Sequence, residues 1–305
     1  GNDTTGVLVS DNDAAWLANG SKVHIDDLKR DRLIETATAE CFGGRELATY
    51  ETVGTTIVAR AAIAANPAQT VVSKRVATTD VYVHGKRLQS RESSGSHMSY
   101  HTPFSKAKDY SPTNDVDADA ALRAFLASQN VWAGAGMVTS EGSGYAIHQK
   151  SDAIGYWTGH KVDDHGLKPA YIYHSKEDRL EVRSGDGNKS PRMMRLNADM
   201  TSLVLRMIEH GMFPKELLLR DSAATTAVMK RVSLHPDQPI ELVDGRSMTP
   251  AQHQQAIARA GEPLALEVGY LDFPSYELDA AEEVDELCEQ ITAYHNDPED
   301  PAKLL

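Results

Sequence analysis

The chain has 305 residues, of which 41% are hydrophobic and 25% are charged. This composition is ordinary for a folded protein and argues against a fibrous or wholly disordered chain. The formal net charge of -13 argues against a nucleic-acid partner, because binding to phosphate backbones requires clustered Lys and Arg side chains.

The two cysteines, Cys41 and Cys288, are far apart in the sequence, which argues against a disulfide framework or a cysteine-rich zinc site. No apolar run approaches the roughly 20 residues of a membrane span, and the N-terminus lacks the pattern of a signal peptide. We therefore expect a cytoplasmic protein with neither a membrane nor a nucleic acid among its partners.

The first predicted strand covers residues 22–27. Strict alternation places Val23 and Ile25 on one side and His24 and Asp26 on the other. If the apolar side faces a core, the imidazole and the carboxylate project together onto an open face. An ordinary edge strand with solvated polar residues would show the same alternation.

A second alternating stretch covers residues 34–41 and contains Glu35 and Glu40. Regular alternation would put these two carboxylates on opposite faces, so both serve one site only if a bulge or a strand end intervenes. From Thr36 onward apolar residues recur at helical spacing, which predicts one long helix that ends at Asn66.

The middle of the chain predicts short elements separated by polar loops. We expect a strand over residues 81–84, a loop over residues 86–96, and a polar linker over residues 111–119. A helix over residues 120–127 follows, and glycines punctuate a hairpin over residues 134–144.

The second half continues with a strand over residues 171–183 and a helix over residues 193–210 that a glycine closes. Thr249 then caps a helix with Pro250 at its first position, and an acidic helix runs over residues 279–294. This order predicts an α+β fold in which helices cover one face of a sheet and leave the other face open for a ligand.

One strand carries a charged pattern. Arg179, Glu181 and Arg183 share one face, while Leu180 and Val182 share the other. Guanidinium groups make bidentate contacts to phosphate oxygens, and a glutamate supplies an oxygen ligand for Mg²⁺. The pattern fits a phosphate and metal clamp, and it fits a surface ladder of ion pairs equally well.

The segment Gly95-Ser96-His97 follows a predicted strand and loop. The glycine permits a tight backbone, and His97 has the chemistry to contact a phosphate or a metal ion. A single histidine in a loop more often does neither.

The charged strand, followed by Asp186 and Asn188, resembles the metal- and phosphate-binding strand of glutamine synthetase and the related glutamate-cysteine ligases. The resemblance implies a glutamine synthetase-like fold, with a curved, mainly antiparallel sheet cradle and helices packed on its outer face. It implies Glu181 as a metal ligand, with Arg179 and Arg183 as phosphate ligands.

The chain is more closely similar to the family of Pup ligases and depupylases. The similar segments run in order from residue 19 to about residue 258. They comprise the Asn-Gly turn and strand that end in Asp26, the acidic stretch 35–41, the segments 95–97 and 134–136, Gln149-Lys-Ser-Asp152, Gly185-Asp186-x-Asn188, the helix after residue 200 and the segment 242–248.

This resemblance implies an ATP- and Mg²⁺-dependent ligase that joins the C-terminal glutamate of a Pup-like modifier to lysines of protein substrates through an acyl phosphate. Asp26 would be the general base. The implied phosphate ligands are Arg179, Arg183, His97 and Ser96, and the implied metal ligands are Glu35, Glu40, Glu181 and His24.

The chain departs from that family at several positions. His24 stands where the family has tyrosine, Met98 replaces a glutamate after the histidine, and Glu181 stands where histidine is usual. The segment that helps bind the modifier in the family is shortened here to residues 173–178. The family's first strand, with its Glu-x-Glu metal motif, has no counterpart before residue 19, and we expect it to lie upstream of residue 1.

These departures leave three alternatives open, namely a depupylase or deamidase of the same family, a glutamate-amine ligase for a small molecule, and a non-catalytic nucleotide-binding homologue. We expect a catalytic domain over residues 1–258. Residues 259–305 are expected to belong to a longer C-terminal helical extension.

Overall fold

A computed structural model provides the structure of the chain. The residues that it describes are 7–11, 14–17, 20–28, 31–66, 77–78, 81–83, 86–89, 92–93, 95–102, 117–138, 144–158, 167–174, 176–187, 190–221, 225–268 and 275–297. The chain divides into two compact units, the first formed by residues 1–74 with 190–198 and the second by residues 75–189 with 199–305.

The first unit contains a four-stranded antiparallel sheet in which sequence neighbours pair in order, followed by a long helix. The elements are β1 (Val7–Asp11), β2 (Ala14–Leu17), β3 (Lys22–Leu28), β4 (Asp31–Ala37) and α1 (Gly44–Ala65). Val23 and Thr36 line the same shallow cavity as Tyr50 and Val53 of α1, so the helix covers the Val23 face of the sheet. The strand predicted over residues 22–27 is confirmed as β3, and the open face expected for His24 and Asp26 stays a prediction.

The start predicted for this helix was wrong. Thr36 belongs to β4, where it pairs with Val23, and α1 begins eight residues later at Gly44. The helical start is fixed by Glu46, whose carboxylate accepts a hydrogen bond from the backbone N–H of Phe42 at 2.9 Å. The predicted end is confirmed, because α1 stops at Ala65 and Asn66 caps it.

The second unit is built around a four-stranded sheet of β9 (Met98–His101), β12 (Ile154–Thr158), β13 (Lys168–His174) and β14 (Arg179–Val182). These strands lie in the order β12-β13-β14-β9. In this sheet only the pair β12 and β13 is parallel. Short two-stranded ribbons flank it in the sequence, formed by β5 (Ala77–Thr78) with β8 (Glu92–Ser93), β6 (Val81–Val83) with β7 (Lys86–Gln89), β10 (Met137–Val138) with β11 (Tyr145–Ala146), and β15 (Ile240–Glu241) with β16 (Ser247–Met248).

Two predictions for this unit are corrected. The single strand predicted over residues 171–183 is a hairpin of β13 and β14, because residues 176–178 form a turn in which Asp178 has a φ of 45°. The hydroxyl of Tyr173 donates to the Asp178 carboxylate at 2.9 Å across this turn. The loop predicted over residues 86–96 contains β7 and β8, whereas the hairpin predicted over residues 134–144 is confirmed as β10 and β11.

Helices supply the core of the second unit. They are α2 (Ala118–Gln129), α3 (Pro191–Glu209), α4 (Thr225–Leu234), α5 (Pro250–Val268) and α6 (Ser275–Asn296), and the first residues of α3 belong to the first unit. The predicted inward-facing residues are all buried, namely Leu122, Phe125, Leu126, Leu203, Val204, Met207 and Ile208. Tyr171 joins α2 to the sheet through a hydrogen bond to the Asp119 carboxylate.

The helix ends follow the predicted signals. Gly211, with a φ of 68°, closes α3, and its N–H donates to the Ile208 carbonyl at 3.1 Å. Thr249 and Gln252 form a reciprocal capping box at the start of α5, with distances of 3.0 and 3.2 Å. The domain division at residue 258 stays a prediction, and that residue lies inside α5.

A buried polar network joins α2 to α5. His253 contacts the Ser128 hydroxyl through Nδ1 at 2.8 Å and the Leu217 carbonyl through Nε2 at 2.7 Å. Gln254 donates to the Ser128 hydroxyl at 2.6 Å and accepts from the Trp132 indole at 3.0 Å. Ser128 and His253 are fully buried, so this pair is a structural contact without access for a substrate.

Two further predictions concern the cysteines and membrane-spanning segments. Cys41 and Cys288 are both free thiols, as expected. Within the described part of the chain, no helix combines the length and hydrophobicity that crossing a membrane requires. Residues 111–116 of the predicted polar linker lie outside the described residues.

Candidate functional site

The charged face of β14 forms the centre of the candidate site in the second unit. Leu180 and Val182 are buried beneath it, while Arg179, Glu181 and Arg183 are partly exposed on the other face. The predicted alternation is therefore confirmed. The apolar side packs into the core, and the three charged side chains are presented together.

Glu181 is held from both sides by positively charged or ring nitrogens. Its Oε1 lies 3.4 Å from His97 Nδ1 and 3.2 Å from Arg183 Nε, and its Oε2 lies 3.3 Å from His174 Nε2 and 3.6 Å from Arg179 Nη1. The Glu181 side chain is only 16% exposed. This carboxylate thus fixes two arginines and two histidines around one point.

The two arginines differ in what else they contact. Arg179 also donates to Glu177 at 3.0 Å and to the Ser99 hydroxyl at 3.2 Å. Arg183 Nε is buried and makes no hydrogen bond within the described residues, since its geometry toward Glu181 satisfies the distance of an ion pair only. A guanidinium group presents five N–H donors in a planar fork, so an arginine that is paired with a glutamate through Nε still has donors suited to binding an anion.

The site is electrostatically positive around His97. Partial burial of the ring and the nearby charges of Lys150, Arg183 and Lys168 lower the pKa of His97 below its ordinary value. The imidazole is therefore neutral at neutral pH, so its 3.4 Å contact with Glu181 does not join two opposite charges. A neutral imidazole can accept a proton or ligate a metal ion.

Asp186 organises the loops beside this strand. Its side chain is 0% exposed, and its carboxylate accepts hydrogen bonds from the backbone N–H groups of Ala135 at 2.9 Å, Gln149 at 2.8 Å and Lys150 at 3.0 Å. Three backbone donors on one buried carboxylate fix the loops 134–136 and 148–150 against the end of β14.

Lys150 is buried by this arrangement. Its side chain is 0% exposed, and its Nζ has no hydrogen-bond partner within the described residues. It packs on Gly95, where an added Cβ would lie 2.9 Å from Nζ and 2.5 Å from the Gly185 carbonyl oxygen, so residue 95 must lack a side chain. Burial, followed by the charges of Lys168 and Arg183, lowers the pKa of Lys150 to about 7.

Sequence reasoning assigned no site role to Lys150, Asp186 or His174. The first two lie in segments that carried the family resemblance, which was the available signal. His174 was missed because the single predicted strand concealed the hairpin that pairs it with Arg179. Ser96, a predicted phosphate ligand, is half-buried, and its N–H donates to the Gly185 carbonyl at 3.1 Å.

The first unit places two of the other predicted site residues together. His24 and Glu35 are directly opposed in β3 and β4, with 3.5 Å between His24 Nε2 and Glu35 Oε2. Glu40 is exposed and lies three residues beyond the end of β4. Asp26 pairs with Leu33 in the same ladder, and its side chain lies outside the described part of the chain.

The described residues contain no group of three or more His, Cys, Asp or Glu side chains arranged to hold a metal ion. The predicted ligands Glu35, Glu40 and His24 belong to the first unit, and Glu181 belongs to the second. The metal-binding set therefore stays a prediction. The charged cluster around Glu181 in the second unit, by contrast, has a defined geometry.

Comparison with known families gives a match over almost the whole chain. The family model described as "Pup-ligase protein" matches residues 3–300. The Pup–protein ligase of Geodermatophilus obscurus is 26% identical over 264 residues, which cover 81% of this chain and 54% of that protein. The corresponding enzyme of Xylanimonas cellulosilytica is 27% identical over 247 residues, covering 77% and 50%. The chain spans about half the length of these curated relatives.

Two solved structures share the fold. The Pup ligase PafA in complex with ADP matches with a TM-score of 0.65 and 21% identity, covering 93% of this chain and 61% of that chain. The complex between Pup and its ligase PafA matches with a TM-score of 0.68 and 22% identity, covering 93% and 57%. These matches confirm the predicted fold class, an α+β glutamine synthetase-like fold with a mainly antiparallel sheet.

Proposed function

The chain belongs to the Pup-ligase family, and from that premise we propose that it forms the phosphate-binding part of an ATP- and Mg²⁺-dependent carboxylate-amine ligase. The whole protein would join the C-terminal glutamate of a Pup-like modifier to lysines of protein substrates. The relatives' names support this choice, since they are Pup–protein ligases.

One observation carries the proposal. Two arginines and two histidines converge on Glu181, which leaves guanidinium donors directed around one partly buried point. A site of this kind stabilises the negative charge of a phosphoryl group, because its donors are already oriented before the ligand arrives. Glu181 holds Arg179 and Arg183 in position.

The other predicted site residues fit the two steps of a carboxylate-amine ligation. ATP supplies a phosphoryl group that converts the substrate carboxylate to an acyl phosphate, whose carbonyl carbon the lysine amine attacks as phosphate leaves. Asp26 accepts the proton that the attacking amine loses. Neutral His97 and the Ser96 hydroxyl complete the set of groups around the phosphate.

The proposal also names the side chains that would hold Mg²⁺. Glu35, Glu40 and Glu181 would supply the oxygen ligands that Mg²⁺ prefers, and His24 would supply a ring nitrogen. A cytoplasmic location belongs to the same proposal and is favoured by the free cysteines.

A glutamate-amine ligase for a small molecule is the second candidate. The specific observation that favours it is the tight hairpin between β13 and β14, which has only residues 175–178 between its strands. The family resemblance places a longer modifier-binding segment at that point. A short hairpin leaves less surface for a protein modifier.

The first test is calorimetric titration of the full-length gene product with ATP, with and without Mg²⁺. We expect Mg²⁺-dependent binding that is at least about tenfold weaker in Arg183→Ala, since a charge-assisted contact is worth roughly 1.5–3 kcal/mol. Lys176→Ala is the matched control, because Lys176 is an exposed cation in the neighbouring turn. Absence of ATP binding by the unaltered protein would contradict the proposal.

The substrate is tested with the same protein, a lysine-bearing acceptor and either a Pup-like modifier ending in glutamate or free glutamate. Formation of an isopeptide with the modifier supports the leading function, and product from free glutamate alone supports the second candidate. Cleavage of a preformed conjugate without net ligation would identify a depupylase. Asp26→Asn is expected to bind ATP normally and to abolish product formation.

A further inference from the structure

The second unit contains two buried side-chain nitrogens that make no hydrogen bond within the described residues, Lys150 Nζ and Arg183 Nε. Arg183 Nε has an ion-pair partner, because Glu181 Oε1 lies 3.2 Å away, whereas no ion pair compensates Lys150 Nζ within the described residues. The two side chains are electrostatic neighbours, because the charge of Arg183 is one of the causes that lower the pKa of Lys150. Of the two nitrogens, Lys150 Nζ is therefore the one whose contacts are incomplete.

An amine without an acceptor is costly to keep inside a protein, and its protonated form is the more costly one, which is why burial lowers the pKa of Lys150. Lys150 is 0% exposed, so its amine can reach neither bulk water nor, within the described residues, a protein acceptor. A methionine would fill a similar volume without a polar atom to satisfy. The lysine therefore weakens the empty fold unless a ligand provides the missing acceptor.

The surrounding backbone holds Lys150 in place. Its own N–H is fixed by the Asp186 carboxylate, and its side chain is pressed against Gly95, which has no side chain of its own. The next two residues of that segment are Ser96 and His97, and His97 contacts Glu181. The amine is thus fixed beside the arginine and histidine cluster and cannot relocate to solvent without breaking these contacts.

We propose that Lys150 binds a phosphoryl oxygen directly, together with Arg183, and so forms the floor of the phosphate site. This inference rests on the proposed function, in which the same cluster binds the phosphates of a nucleotide. A phosphoryl group fits better than a carboxylate, because it offers more oxygens and more negative charge to the combined charges of Lys150, Arg183 and Arg179.

The test compares the full-length protein with Lys150→Met for three probes, which are inorganic phosphate, ADP with Mg²⁺, and a non-hydrolysable ATP analogue with Mg²⁺. Calorimetry is expected to show at least a tenfold increase in Kd for the variant. If only inorganic phosphate and the ATP analogue lose affinity, Lys150 contacts the terminal phosphate. Loss with ADP as well places it on an inner phosphate. Lys176→Met removes the same charge from an exposed turn and is expected to leave all three values unchanged.

A second measurement separates ligand binding from a structural role. Without ligand, the melting temperature of Lys150→Met is expected to equal or exceed that of the unaltered protein, because the variant removes an unpaired buried amine. Lys150→Gln, which is similar in length and uncharged, is the companion variant. Lower melting temperatures for both variants, or unchanged affinity for all three probes, would overturn the proposal.

The outcomes also distinguish a failure of this inference from a failure of the proposed function. Weaker ATP binding in Arg183→Ala with unchanged binding in Lys150→Met would refute the role of Lys150 and leave the ligase site intact. Failure of the unaltered protein to bind any of the three probes would refute both.

Discussion

Polar and apolar residues alternate along strands of both sheets, but the apolar side chains are buried to different extents. In β14 of the second unit, Leu180 is 0% exposed beneath the charged face. In β4 of the first unit, Ile34 is 54% exposed beside Glu35. The charged residues of β14 are therefore held in a defined arrangement, whereas those of the first sheet have freer surroundings. Alternation identifies a strand, and the elements packed around it decide whether its polar face is preorganised.

The largest expected effect on the free energy of unfolding comes from replacing Asp186 in the second unit. Replacing it by alanine leaves three backbone N–H groups, one buried and two partly buried, without their acceptor, which we expect to lower the free energy of unfolding by about 3–5 kcal/mol. Urea unfolding followed by circular dichroism measures this effect. Asp244→Ala, in an exposed turn, is the control and is expected to change little. Equal effects of the two variants would show that Asp186 does not organise the loops.

The next largest effect comes from truncating an apolar side chain, and the same truncation can be made in each of the two sheets. Leu180→Ala opens a cavity under the candidate site and should cost about 3 kcal/mol. Ile34→Ala removes a side chain that is already more than half exposed and should cost below about 1 kcal/mol. The same unfolding experiment reports both. A cost for Ile34→Ala as large as that for Leu180→Ala would mean that the first sheet is covered more completely than its exposure indicates.

A third prediction concerns pH and the helical core of the second unit. Burial lowers the pKa of His253 to about 4, whereas an unfolded chain protonates histidine near 6.5. The unfolded state then binds the proton first, so stability is complete above pH 6.5 and falls as the pH drops towards 4. The loss is on the order of 3 kcal/mol at pH 4.

The measurement is the free energy of unfolding between pH 7.5 and 4 for the unaltered protein and for His253→Gln. The variant is expected to be less stable at neutral pH and to show a shallower decline on acidification. Buried His148, whose pKa is also lowered by burial, remains in both proteins and contributes a residual slope of the same sign. Identical slopes would show that His253 does not titrate differently on folding.

The elements that the sequence predicted correctly are those whose signals involve residues close together in the chain. The capping box at Thr249 and the left-handed Gly211 involve neighbours within a few residues, so their signals are complete in the sequence. The charged face of β14 was found for the same reason, because alternation is a local property. The fold class followed from the order of these elements and from the family resemblance.

Contacts between distant segments explain what was missed. Lys150 is isolated only because Gly95 and Asp186 enclose it from other parts of the chain. The hairpin between β13 and β14 was taken for one strand, because its turn at Asp178 contains no glycine to mark it. The start of the helix predicted from Thr36 was wrong because Thr36 pairs with Val23 in the sheet, and the helical spacing applies only from Gly44 onward.

The smallest expected effect lies in the first sheet, at the contact between His24 and Glu35. The pair is 3.5 Å apart, and the Glu35 side chain is 47% exposed, so solvent screens the interaction. Glu35→Gln is expected to lower the free energy of unfolding by less than about 0.5 kcal/mol. Glu181→Gln, the matched change in the second sheet, is expected to cost about 2 kcal/mol, because that carboxylate compensates two arginines in a largely covered site. If Glu35→Gln is as costly as Glu181→Gln, the contact with His24 belongs to a more enclosed site than the exposure of Glu35 indicates. If the costs differ as expected while both variants lose ligase activity, Glu35 acts on the ligand and contributes little to the fold.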